Sequence, residues 1–163
     1  MVGPDRPGLV SDVSHVIAEA GGNVTTSSSF ALGPIFSMAV LADVGADARA
    51  TTTAAIQAAV PNHAVSAHPA DEAVPHAAFS AEVEVSCADG VGLIAKVTDY
   101  IARAGLSLAK LETKSEGAPH GGATLFSLTG VMRSDKEIDE EKLADGFTDL
   151  ENTMGIRIEY TKL

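Results

Sequence analysis

The side chains in this sequence that could carry chemistry are few and scattered. Five histidines (His15, His63, His68, His76 and His120), one cysteine (Cys87) and the hydroxyl run Thr25-Thr26-Ser27-Ser28-Ser29 are the candidates for acid–base, metal or nucleophilic work. A catalytic triad needs a base beside its nucleophile and an acid behind that base, and a zinc site needs three or four ligands at characteristic spacings. No histidine stands at such a spacing from an acidic or thiol partner, and no CxxC occurs. The hydroxyl run lacks a base and reads as a solvent-facing strand; the histidines read as surface residues and Cys87 as a buried, inert thiol. Glu137 to Glu141 reads as the solvated start of a helix. The expectation is a chain that is not an enzyme and uses neither metal nor cofactor.

What does recur is a backbone motif. Sliding the chain by 84 positions lays Asp5-Arg6-Pro7-Gly8-Leu9-Val10 over Asp89-Gly90-Val91-Gly92-Leu93-Ile94, and the match continues through Val13 on Val97, Ile17-Ala18 on Ile101-Ala102 and Ala20-Gly21 on Ala104-Gly105. In each copy the apolar positions recur at the spacing of one helical face, Leu9, Val10, Val13, Val16, Ile17 and Ala20 in the first and Leu93, Ile94, Val97, Tyr100, Ile101 and Ala104 in the second. Gly21 and Gly105 then close those helices, and Pro7 or Gly92 suits their entry.

Each helix is followed by two extended segments with period-two alternation. Val24 to Leu32 and Phe36 to Val44 form the first pair, joined by a tight Gly33-Pro34 turn; Leu106 to Glu116 and Phe126 to Met132 form the second, joined by a longer turn over 117–122. A second helix follows in each copy, Ala-rich from Ala46 to Ala59 and, later, carrying Leu143, Phe147, Leu150 and Met154 on one face. Asp139 caps the later one while Ile138 packs back on Leu143. Ala64 to Ala67 and Ile156 to Tyr160 are the closing strands, and Ala81 to Cys87 opens the second copy. Only Met1 and Val2 precede the first Gly-Pro-Asp, so the opening strand of the first copy is expected to be largely missing, with earlier residues absent from this numbering.

The order is βαββαβ twice. Right-handed crossovers place both helices of such a unit on the same side of an antiparallel sheet. The expected fold is α+β: two ferredoxin-like units, each a four-stranded antiparallel sheet with two helices on one face, over 1–70 and 79–163, with 71–78 as the linker.

Composition narrows the partners. Acidic residues outnumber basic ones by 22 to 11 for a net charge of −11, divided as seven acids against two cations in 1–78 and fifteen against nine in 79–163. Binding to phosphate backbones draws on clustered cations, so direct nucleic-acid contact is not expected, nor is attraction to anionic membrane surfaces. No apolar run approaches the roughly 20 residues that span a bilayer, and a cytoplasmic location is expected.

With the paired Asp-x-x-Gly-Leu-[Val/Ile] turns in place, the chain resembles tandem ACT domains. Gly3-Pro4-Asp5-Arg6-Pro7-Gly8-Leu9-Val10 followed by Gly21-Gly22-Asn23-Val24 is similar especially to the glycine cleavage system transcriptional repressor group. The resemblance implies a small amino-acid ligand, glycine or serine first, held where the first turn enters the first helix, near the start of the second strand and against a neighbouring ACT unit. Carried onto this sequence, the site is Asp5, Arg6, Pro7, Gly8, Leu9, Asn23 and Val24. The free amides of the helix N-terminus would hold the carboxylate, Asn23 would bond ammonium and carboxylate, and Asp5 would face the ammonium. The second copy departs from the pattern, with Gly90-Val91 for Arg6-Pro7 and Ser107 for Asn23. Asp89, Gly90, Gly92, Leu93 and Ser107 are accordingly the weaker site. His15 lies on the first helix beside the stronger one.

The resemblance further implies a homodimer that acts through a regulatory protein partner, in transcription or elsewhere. The residues alone also admit a plainer account, in which Asp5-Arg6-Pro7-Gly8 is a turn and cap, Asn23 begins a strand, and the chain is a ligand-free interaction or oligomerisation module pairing through exposed sheet edges.

Overall fold

The helix-closing glycines organise the chain as their spacing requires. In a computed structural model, which describes residues 1–70, 77–88, 90–117 and 124–163, the helix α1 (Leu9–Glu19) ends with Gly21 at φ +73°, the Gly21 amide donating to Ala18 O at 2.9 Å and the Gly22 amide to Ile17 O at 2.9 Å. The helix α3 (Leu93–Arg103) ends identically: Gly105 sits at φ +79°, its amide donates to Ala102 O, and the Leu106 amide donates to Ile101 O. These paired bonds satisfy carbonyls that a helix end leaves open, and they need a left-handed residue that glycine supplies without steric cost. Chain direction then reverses into a strand.

The described residues divide into two compact units, Met1–Glu72 and Ala73–Leu163. The first contains β1 (Val2–Pro4), α1, β2 (Asn23–Leu32), β3 (Ile35–Asp43) and α2 (Arg49–Ala59); the second contains β4 (Phe79–Ala88), α3, β5 (Ser107–Gly117), β6 (Thr124–Ser134), α4 (Glu140–Met154) and β7 (Arg157–Lys162). Both sheets are antiparallel, with order β1-β3-β2 in the first and β5-β6-β4-β7 in the second. The linker expected at 71–78 and the long turn expected over 117–122 fall largely outside the described residues.

The closing strand expected over Ala64 to Ala67 contracts to one bridge, in which the Val2 amide donates to Ala64 O at 3.0 Å and the Ala64 amide to Val2 O at 2.8 Å. The cause is its neighbour. β1 is three residues long and offers a single bonded pair, whereas β4 is ten residues long and pairs with six residues of β7. The bridge nonetheless sits at the edge where β7 sits in the second unit, so the spatial order is the same. The helix expected from Ala46 begins as a 3-10 turn over Ala46–Ala48 and becomes α-helical at Arg49.

Burial is unequal. In the second unit Phe79, Val83, Val85, Val97, Leu128, Met132, Leu143 and Phe147 belong to one continuous core of fifteen buried residues between sheet and helices. Among the described residues of the first unit only Leu9, Val13, Ile17, Met38 and Val60 are buried hydrophobics. Cys87 is half-buried against the second core, not fully enclosed as expected.

The α4 entry forms as anticipated, with Asp139 accepting from the Lys142 amide at 3.2 Å and Ile138 packed on the core. Its carboxyl is held below the usual range, first by the hydrogen bond from the Lys142 side chain and then by that from the Lys142 backbone. A depressed pKa means that the ionised form stabilises the fold at pH values above the unfolded value of 3.8, and that this contribution fades as pH falls through the lower folded value. Asp139→Asn is expected to lower the melting temperature near neutral pH, with the gap to wild type closing below pH 3.8; thermal melts across pH 2–7 check it.

Candidate functional site

The turn between β1 and α1 is pinned at both ends. The Asp5 amide donates to Pro34 O at 2.8 Å, tying the turn to the β2–β3 hairpin, and Leu9 is buried with 2% exposure, anchoring the first turn of α1 in the core. Between them Gly8 occupies the N-cap with φ +90° and no side chain caps the helix. The first helical bond runs from the Asp12 amide to Gly8 O at 2.9 Å. The amides ahead of that bond, from Gly8 to Ser11, are the four that a helix start leaves without an i−4 acceptor. Four donors and the positive end of a helix dipole thus converge at one exposed turn, an arrangement suited to a carboxylate or another small anion.

Asp5, Arg6, Pro7 and Gly8 are all exposed. Arg6 folds across the helix start, donating to Asp12 Oδ2 at 2.7 Å and to Pro7 O at 3.1 Å. Its charge is therefore matched within the turn, leaving the backbone amides as the donors available to a ligand. His15, one turn further along, is exposed and lies 3.3 Å from Ser11 Oγ. Gly8→Ala is expected to cost about 1–2 kcal/mol from left-handed strain. An added Cβ meets nothing nearer than Arg6 Nη1 at 3.8 Å, so denaturant unfolding should report strain without a packing defect.

Asn23 is not beside that turn. It pairs with Asp43, whereas Pro4 pairs with Ile35. The eight residue steps of β3 between those partners correspond to roughly 26 Å at 3.3 Å per residue. Asn23 is exposed and Val24 beside it half-buried, both at the opposite end of the sheet from Gly8. The structure thus brings Asp5, Arg6, Pro7, Gly8 and Leu9 together and sets Asn23 and Val24 apart from them within the unit.

The second unit repeats the pattern. Gly92 is the N-cap of α3 at φ +83° and Leu93 is buried; Asp89 lies outside the described residues. Ser107 pairs with Arg133 while Ala88 pairs with Leu125, again eight steps apart, and the Ser107 hydroxyl donates to Arg133 O at 3.1 Å. Here a cavity of about 590 Å³ opens between the α3 entry and β5, with Gly90, Gly92, Thr113, Lys114, Ser115 and Phe126 on its wall. The β5 residues were not singled out from the sequence. Their alternation marks a strand, but only the register sets them against the helix entry.

Two further features escape the sequence pattern. A second cavity of about 420 Å³ lies between α3 and α4, where the Tyr100 hydroxyl meets Lys142 O and Leu143 O at 3.2 Å each. Burial, then the Asp149 and Asp145 carboxylates, push its phenol above the usual value. His63, expected at the surface, is buried at 5% exposure, its Nε2 2.9 Å from Pro4 O and its Nδ1 without a partner. It sits there because Gly3 leaves room; a Cβ on Gly3 would come within 2.5 Å of the ring. Among the described residues no group of three or more His, Cys, Asp or Glu gathers as a metal site, and no helix is long and apolar enough to cross a membrane.

The ACT domain family model matches residues 1–68. No curated protein matches the sequence. Among solved structures, an unknown protein from Galdieria sulphuraria is similar over 99% of this chain and 94% of its own, at 26% identity and a TM-score of 0.88. A structure named "putative glycine cleavage system transcriptional repressor" is similar over 99% of this chain and 93% of its own, at 21% identity and a TM-score of 0.72. The latter likeness concerns the fold.

Proposed function

With the ACT domain family model matching residues 1–68 and the second unit repeating the same strand and helix order, we propose that this chain is a non-catalytic, cytoplasmic regulatory protein that binds a small free amino acid. The observation that carries the reading is an exposed helix start with no side-chain cap, whose first amides, Gly8 to Ser11, have no i−4 acceptor in the helix. A ligand carboxylate supplies the acceptor they lack. Each hydrogen bond to a charged ligand group contributes about 1.5–3 kcal/mol net, so a few give micromolar to millimolar affinity, suited to sensing metabolite levels. Glycine and serine come first because the turn resembles that of the glycine cleavage repressor group and because a short side chain suits an open turn.

The separation of Asn23 from the turn sharpens the proposal. One unit cannot offer both to a ligand a few ångströms long. A two-fold pair of first units, set side by side with opposite strand directions, places the turn of one copy beside Asn23 of the other, and each ligand then bridges two copies. Binding stabilises that arrangement by its differential affinity for it, typically about 1–3 kcal/mol, and the change is read by a protein partner. The acidic surface favours a protein over nucleic acid as the receiver. Of the weaker second site, Gly90, Gly92 and Leu93 line the cavity, while Ser107 stands apart from them in its unit and carries no side-chain amide.

Isothermal titration of the purified chain with each of the twenty amino acids tests the reading. Saturable heat is expected for one or a few, glycine or serine among them, with the ligand recovered unchanged. Asn23→Ala is expected to weaken binding by at least about tenfold, the loss of one charge-assisted bond. Silence across the panel at millimolar concentration returns the ligand-free module, and turnover of any amino acid overturns the non-catalytic reading.

A further inference from the structure

The two units carry the same sheet but expose different outer faces. In the second, the residues that alternate away from the core include Glu82, Glu84, Lys110, Glu112, Arg157 and Glu159, interrupted by Val131 and Leu125. Lys110 pairs with Glu112 and Arg157 with Glu159 along their strands, as expected of a sheet face that meets water. In the first, the outward residues given by the register are Val2 and Pro4 on β1, Thr26, Ser28, Phe30 and Leu32 on β2, and Ile35, Ser37, Ala39 and Leu41 on β3. That face carries no charge until Asp43 at its far end. Val2, Phe30, Leu32 and Ile35 are 41–70% exposed and cluster at its hairpin end.

A repeat provides its own control. The same face in one chain is solvated by ion pairs in one copy and apolar in the other, so the difference does not come from the fold. The first unit also has the smaller core, five buried hydrophobics where the second has fifteen. A unit of about 70 residues with so little buried surface gains most from burial against a partner.

We propose that the outer face of the β1-β3-β2 sheet is a self-association surface on which a second copy of this chain packs, hairpin end against hairpin end. Charge selects that occupant. Two chains of net −11 repel least where neither presents acids, and this face meets that condition. An uncharged face offers a foreign partner no electrostatic register, whereas two-fold packing supplies each apolar residue with an apolar counterpart. Aligned sheets about 10 Å apart with three strands on each side bury roughly 1,000 Å² in total, the small end of specific interfaces, so the association is concentration-dependent. This inference does not rest on ligand binding and uses a surface other than the strand edge that would join the turn to Asn23.

Sedimentation velocity on the full chain over a hundredfold concentration range tests it, comparing wild type with Leu32→Glu. Leu32 is 70% exposed, so the substitution leaves the fold intact, which circular dichroism verifies. The expected result is that the mass wild type reaches at high concentration is halved by Leu32→Glu, through at least about tenfold weaker association. Thr129→Glu, on the outer face of the second unit, should leave it unchanged. Equal masses for wild type and Leu32→Glu at every concentration overturn the proposal, whether the face then proves to be covered by the rest of the chain or by a different protein. The heat of amino-acid binding at the α1 turn should survive Leu32→Glu, which separates failure here from failure of the ligand reading.

Discussion

Phe147→Ala is expected to cost about 3–5 kcal/mol and to lower the melting temperature of the second unit by roughly 15–30 °C. Phe147 projects from α4 with 3% exposure, and its ring lies 5.2 Å from that of Tyr100 on α3 and 5.6 Å from that of Tyr160 on β7, tilted by 57° and 51°. Three elements therefore share one aromatic contact in a protein with no tryptophan and only 4% aromatic residues. A smaller side chain leaves a cavity that Leu143 and Ile158, held by their own strand and helix, cannot fill. Phe147→Leu should recover more than half of the loss, because it restores most of the volume but not the ring contacts. Calorimetry of the full chain checks both; a single-degree effect of Phe147→Ala would mean that α4 does not close this core.

Gly3→Ala is expected to destabilise the first unit by about 1–3 kcal/mol, the range for overpacking a tight site. The new Cβ would lie 2.5 Å from His63 Cδ2, 2.6 Å from its Cγ and 2.9 Å from Asn62 O. Neither neighbour moves freely, since the ring holds Pro4 O and the Asn62 carbonyl belongs to the segment that Ala64 ties to Val2. Relief requires displacing β1, whose three residues are among the few contacts closing a unit with a sparse core. Gly3→Ala/His63→Ala should be less destabilised than the two single costs added, because removing the ring removes half of the clash. Gly45→Ala, with φ −51° and open space around it, should stay within about 0.5 kcal/mol of wild type. Urea unfolding of wild type, the two single variants, the double variant and Gly45→Ala reads these differences.

The repeat made most of this fold legible. Periodicity, closing glycines and alternating strands each carry a local cause, and all of them recur 84 residues apart, so agreement between copies stood in for tertiary information. What failed to show were lengths set by a neighbour. Ala64 to Ala67 has the composition of a strand, but its pairing stops where β1 stops. His63 looks like a loop histidine because nothing in sequence announces that Gly3, sixty residues earlier, leaves a space the size of its ring.

The candidate site divides along the same line. Asp5 to Leu9 is contiguous, and a contiguous turn into a helix can be read directly. Asn23 follows the turn by less than twenty residues and was grouped with it, yet α1 carries the chain back along the sheet, and β2 begins at the end opposite Gly8. Only the register reveals that separation. The Thr113, Lys114 and Ser115 wall of the cavity at the α3 entry is hidden for the same reason.

The most direct test of the account uses two variants that should each lose binding, Pro7→Glu, which sets an anion at the mouth of the turn, and Asn23→Ala. If every site takes its amides from one copy and its Asn23 from another, subunit exchange between the variants rebuilds intact sites in mixed pairs, and titration should recover about a quarter of the wild-type sites at wild-type affinity. Recovery of none after verified exchange, or an Asn23→Ala protein that binds as wild type does, would contradict it.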